Sequence, residues 1–315
     1  MPSRRSWGVV GGAAAVAVTA AAAWALGFRP WAPRVVRMLP AGETLVYLNV
    51  APLRHAGWPG GGVRGRAPGY AGFVQESGFD FERDLDAVGI SLVGRPDRPN
   101  AATVALAGRF GGRFEAYLRR HALSQMRLGR VIGYRFPGWA RPQQPLTVVL
   151  LDRGHVLVTN SADPTPVVAG AERWWPRAPS LWPAAWRPPG IAYFGLDALR
   201  LAAERQLDGA IPPWQGAQRI EARIEPASDG GLSLRGRATM ISPDAAVQLL
   251  TWARHARDTW RSALAEDALG PPPRGLALRA LLDQLTLTQS GGGVSFELRL
   301  DAATVQAWRQ TLAAR

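Results

Sequence analysis

From Ser6 to Phe28 the chain carries no charge and nothing more polar than Thr19; beyond it, apolar positions recur with period two and with period 3.6. At about 1.5 Å per residue, 23 helical residues cover the roughly 30 Å hydrocarbon layer of a bilayer, so the run predicts an N-terminal transmembrane helix. From residue 39 onward strands and helices alternate. Thr44–Val50, Val88–Val93 and Thr103–Phe110 read as strands, and Arg113–Ala122 as a helix with Phe114, Tyr117 and Leu118 on one face. Val131–Phe136, Leu146–Leu151 and Val156–Thr159 are sheet-forming. The second half repeats the scheme: a strand at Ile191–Gly195, a helix at Asp197–Leu207, and a hairpin of Ile220–Glu225 with Leu232–Met240 across Asp229-Gly230-Gly231. Ser242 and Pro243 open a helix that carries Leu249, Trp252, Ala253, Ala256, Trp260 and Leu264 along one side. Two further strands, Leu285–Thr288 and Val294–Leu300, flank a glycine turn, and a terminal helix follows.

The segment Val46–Arg54 can be laid over Ala192–Arg200 without a gap, sharing a tyrosine, a leucine and an arginine. With the similar order of elements after each copy, this predicts an α+β protein: the transmembrane helix, then two related strand-helix-hairpin units with largely antiparallel sheets. The expected divisions are 1–38 (anchor or signal segment and juxtamembrane stretch), 39–163 (first unit), 164–190 (linker) and 191–315 (second unit). The linker concentrates seven prolines around Trp174, Trp175, Trp182 and Trp186. These rings either staple the two units together or form a contact surface for a partner; a staple is expected, because exposed tryptophans invite aggregation.

Composition narrows the setting. All 37 basic residues are arginine, and the formal net charge is +13. Exclusion of lysine on this scale points to codon bias, so the charge does not by itself predict nucleic-acid binding, and no nucleic-acid partner is expected. The chain has no cysteine, which excludes disulfides and thiolate chemistry. Arg4 and Arg5 ahead of the apolar run favour a cytoplasmic N-terminus, with the lipid bilayer engaged through residues 6–28 and the remainder in the periplasm. Cleavage and release into the periplasm is the alternative.

The stretch Leu39-Pro-Ala-Gly-Glu-Thr-Leu-Val-Tyr-Leu-Asn-Val50, together with Gly78–Val88, resembles a broad group of uncharacterised bacterial membrane-anchored envelope proteins. The resemblance covers residues 39–95 and, more faintly, 190–200; the glycine-rich insertion at Gly57–Gly72 departs from it. The group has no established activity, so the resemblance implies architecture and location only.

Candidate chemistry is sparse. Asp80, Glu82, Asp84 and Asp86 alternate like calcium ligands, but the glycine and glutamate such a loop needs are missing, and turn caps are the expected role of Asp80 and Asp84. His55, His121, His155 and His255 have no metal-binding spacing, and no Gly-x-Ser-x-Gly elbow occurs. No catalytic, cofactor or metal residues are expected. The candidate binding surface comprises Trp174, Trp175, Trp182 and Trp186 with Arg254, Arg257 and Arg261, the arginines falling on one helix face where they could meet phosphate or anionic lipid. The expected function is that of a non-catalytic extracytoplasmic protein binding another envelope protein or polymer. The alternatives are a hydrolase built from Asp80, Asp84, His155 and Asp163, and an amphiphile carrier with a pocket between sheet and helices.

Overall fold

A computed structural model describes residues 32–55, 69–95, 98–138, 144–172, 180–182, 190–199, 216–265 and 281–306. Its strands are β1 (Thr44–Asn49), β2 (Leu85–Arg95), β3 (Arg98–Gly108), β4 (Ser124–Leu128), β5 (Val131–Phe136), β6 (Leu146–Asp152), β7 (His155–Thr159), β8 (Ala192–Asp197), β9 (Ala217–Pro226), β10 (Leu232–Met240), β11 (Thr286–Ser290) and β12 (Gly293–Leu300). The helices are α1 (Arg34–Arg37), α2 (Val50–His55), α3 (Tyr70–Ser77), α4 (Phe81–Asp84), α5 (Gly112–His121), α6 (Thr165–Ala171) and α7 (Pro243–Ala265).

All twelve strands join one sheet in the order β11-β12-β10-β9-β8-β1-β2-β3-β7-β6-β5-β4, every neighbour antiparallel. This corrects the expected fold class. Two units with their own sheets would each leave a first strand with an open edge; here those edges, β1 and β8, satisfy each other, with Tyr47 directly opposite Tyr193. Nor is a membrane helix part of the observed fold. Among the described residues no helix is long and apolar enough to cross a membrane, and residues 6–28 lie outside them. The β9–β10 hairpin and helices α5 and α7 stand where the periodicity predicts, hung on one continuous sheet; α3, α6 and β4 are not among the predicted elements, and most of the expected Asp197–Leu207 helix and of the terminal helix lies outside the described residues.

Because side chains alternate across a strand, the registers sort the sheet into two faces. On one face Ile90, Val46, Phe194, Ala222, Gly236, Phe296 and Leu287 form a single transverse row, apolar from end to end. A Cβ on Gly236 would collide with the Phe296 ring, so the glycine makes room for that ring inside the row. Helices cover this face at both flanks. Phe114 and Leu118 of α5 pack with Phe79, Phe110, Tyr134 and Val156 at one flank; Ala246 and Leu249 of α7 pack on Ala238 and Val294 at the other.

On the opposite face the corresponding row is Gly89, Tyr47, Tyr193, Arg223, Arg235, Glu297 and Thr286. It changes from apolar to charged between β8 and β9. Its apolar half is roofed by Val35 and Val36 of α1, Val168 and Ala171 of α6, and the Leu181–Trp182 segment. The first half of the sheet is therefore buried on both sides, whereas β9–β12 bury one side and present the other to water.

Local sequence explains the helix ends. Ser242 Oγ accepts the Ala245 N–H at 3.1 Å, the N-cap that its place before Pro243 predicts. Asp80 caps α4 by accepting the Glu82 N–H at 3.0 Å. Basic Arg119, Arg120 and His121 close α5, where the helix carbonyls favour positive charge.

Candidate functional site

The exposed side of β9–β12 forms a polar groove of about 460 Å³. Arg235 and Arg237 from β10, Glu221 and Arg223 from β9, Ser295 and Glu297 from β12, and Thr286 and Thr288 from β11 line it, and Tyr193 forms its inner rim. The sequence builds it by strict alternation. Leu232-Ser-Leu-Arg-Gly-Arg-Ala-Thr-Met240 and Arg219-Ile-Glu-Ala-Arg-Ile-Glu225 each send every second residue, all polar, to the same side.

Most of the charge is already matched. The Arg235 guanidinium contacts Glu297 Oε1 at 2.9 Å, Arg219 contacts Glu221 at 3.4 Å, Arg223 contacts Glu225 at 3.7 Å, and Arg299 contacts Asp229 at 2.9 Å. Arg237 is the exception. Among the described residues it has no acidic partner, and its guanidinium lies over Gly293, where a side chain would collide with it. Ion pairs between exposed groups cost little to exchange, so a carboxylate-bearing ligand could take Arg237 directly and compete for its paired neighbours. The hydroxyls of Thr286, Thr288 and Ser295 add donors without charge.

The residues picked out from sequence lie elsewhere. Trp182 is buried, 5% exposed, and its ring meets Tyr47 edge-on at 5.6 Å and Tyr193 at 5.4 Å. It therefore sits over the seam between β1 and β8 and offers no open surface. Burial pushes the hydroxyls of both tyrosines up to about 12. The Tyr193 hydroxyl donates to the Leu181 carbonyl at 2.5 Å, and Arg219 donates to the same oxygen at 2.9 Å. Trp174, Trp175 and Trp186 lie outside the described residues.

The arginines of α7 share a helix face, but two of the three are taken up by acidic neighbours. Arg254 is exposed, while Arg257 is partly buried and pairs with Asp258 at 2.9 Å and Arg261 pairs with Asp283 at 2.5 Å. The apolar stripe is rotated as well. Ala246 and Leu249 are buried, with Leu250 packed against the same cluster, whereas Trp252 is 43% and Trp260 56% exposed.

The residues of the hydrolase alternative serve the fold in separate places. Asp80 accepts from Tyr70 Oη at 2.9 Å and from the Glu82 N–H, and Asp84 accepts the Asp80 N–H at 3.0 Å and two donors of Arg83. Burial works to raise the Asp84 pKa, but the Arg83 and Asp80 hydrogen bonds and the Arg83 and Arg109 charges outweigh it and hold the carboxyl below the usual range. His155 is held by Asp152 at 2.8 Å, which also meets Arg34 at 2.8 Å. Asp163 accepts the Thr165 N–H at 2.9 Å at the start of α6, which lowers its pKa.

Sequence reading missed the groove, since Arg219, Glu221, Arg223, Arg235 and Arg237 pass for an ordinary solvated strand face. The signal was present in two consecutive strands whose polar sides are charged at nearly every position. No family model matches the chain, and no curated protein does either. Among solved structures it is similar to two crystal forms of TP0453, each at 9% identity over 88% of this chain: form I with a TM-score of 0.45 over 96% of that chain, and form III with 0.49 over 97%. Likeness at that level is too loose to carry any conclusion about this chain.

Proposed function

We propose that this chain is a non-catalytic protein of the bacterial envelope, working on the extracytoplasmic side and binding an extended acidic segment of another envelope protein along the open face of β9–β12. The observation that carries the reading is Arg237, which among the described residues has no acidic partner, in a groove where Arg235 is paired with Glu297 and Arg223 lies 3.7 Å from Glu225. Location rests on sequence: Arg4 and Arg5 ahead of the apolar run 6–28, and the resemblance carried by residues 39–95. An extended segment fits because the groove runs across strands on a flat floor, with donors spaced along it.

Fluorescently labelled poly-L-glutamate tests this by anisotropy. Arg237→Glu is expected to weaken binding roughly tenfold or more, as loss of a charged contact followed by repulsion does. Arg119→Glu, on α5 and paired with Glu115, changes the net charge equally and is expected to have little effect. Equal weakening by both variants would mean attraction by net charge alone and would overturn the reading.

A further inference from the structure

The sheet ends in two edge strands of different character. A helix packs beside each, α6 at β4 and α7 at β11, but β4 also contains Arg127, a charge of the kind that protects an edge. β11, at the other end, reads Thr286-Leu-Thr-Gln-Ser290: no charge, no proline and no bulge in its pairing with β12. It is the one strand of the second half without a charged residue, since β8 carries Asp197 and β9, β10 and β12 carry the ion pairs described above. Thr286, Thr288 and Ser290 are exposed, and among the described residues no strand pairs with its outer edge.

We infer that β11 is the contact strand of a symmetric dimer, pairing antiparallel with β11 of a second copy about a two-fold axis at Thr288. The chain's formal charge of +13 opposes association of copies, and β11 carries no charged residue that a two-fold pairing would set opposite its like. Centred on Thr288, the pairing sets Thr286 opposite Ser290 on the groove side, hydroxyl to hydroxyl, and Leu287 opposite Gln289 on the other. Antiparallel edge pairing about such an axis uses the same strand on both subunits, so the assembly closes at two and leaves no further β11 edge open. It would also place the two grooves side by side on the same face of a continuous sheet.

The full chain has no cysteine, so single substitutions report the register directly. Thr288→Cys lies on the axis, where directly opposed residues fall within disulfide range, and mild oxidation is expected to yield a covalent dimer. Thr286→Cys alone places its two thiols four residues out of step, about 13 Å along the strands, and the dimer is expected to fall roughly tenfold or more. Mixing Thr286→Cys with Ser290→Cys chains is expected to restore it as a heterodimer. Absence of cross-linking at position 288, or equal cross-linking by Thr286→Cys alone, would overturn the inference. Because Thr288 is exposed, its replacement leaves the core intact, and an unchanged melting temperature checks this.

Discussion

Replacing Trp182 by alanine is expected to destabilise the protein by about 3–5 kcal/mol, the cost of truncating a large aromatic ring in a core. The ring stands edge-on to Tyr47 and Tyr193, which face each other across the β1–β8 pair, where the two halves of the sheet join among the described residues. Its segment is fixed there by two donors to one carbonyl, Tyr193 Oη and Arg219 Nη2 to Leu181 O. Removing the indole leaves a cavity over that seam against both tyrosine rings. Trp252→Ala provides the contrast: this side chain is 43% exposed, and its loss should fall within about ±0.5 kcal/mol. Chemical denaturation of the full chain measures both; equal effects of the two substitutions would show that Trp182 does not hold the seam.

Loss of the Asp84 carboxylate is expected to cost about 2–4 kcal/mol. The side chain is 7% exposed and accepts from the buried Asp80 backbone N–H and from Arg83, with Arg109 at 3.0 Å. Both arginines are 65% exposed, so water screens their attraction, and the larger share of the cost is the buried N–H left without an acceptor. The folded-state pKa is lowered, so the carboxylate's contribution is fully present above the ordinary aspartate value near 3.9 and is lost as pH falls through the lower folded value. Wild-type stability should therefore drop below about pH 4, and Asp84→Ala should flatten that drop while lowering the plateau near neutrality. Urea midpoints measured from neutral pH downward test it, and an acid limb of unchanged steepness in the variant would contradict it.

Periodicity carries much of this fold, and its failures have identifiable physical causes. The Ser242-Pro243 cap, the Asp229-Gly230-Gly231 hairpin and the Phe114–Leu118 face are local features, and all are present. Helix α3 was hidden because Tyr70–Ser77 adjoins the glycine-rich stretch, and only the buried Tyr70, hydrogen-bonded to Asp80 ten residues later, marks its role. Helix α6 lay inside the proline-rich linker, although Asp163 and Pro164 form a readable start and Val168 and Ala171 keep helical spacing. The joining of both halves into one sheet is a long-range pairing between residues about 146 positions apart, Tyr47 and Tyr193, which no local period encodes. The groove went unread because an alternating charged strand looks the same whether its polar side meets only water or also a partner; the difference lies in which strands stand beside it.

The open side of β9–β12 is where we propose that this protein meets its partner. Hydrogen exchange of the full chain with and without poly-L-glutamate tests it most directly, since a ligand lying across the groove should slow amide exchange in β10, β11 and β12. Protection confined to those strands, and lost in Arg237→Glu, is the predicted result. Protection centred on α5 and α3 instead, or the same pattern in Arg237→Glu as in the wild type, would contradict the account.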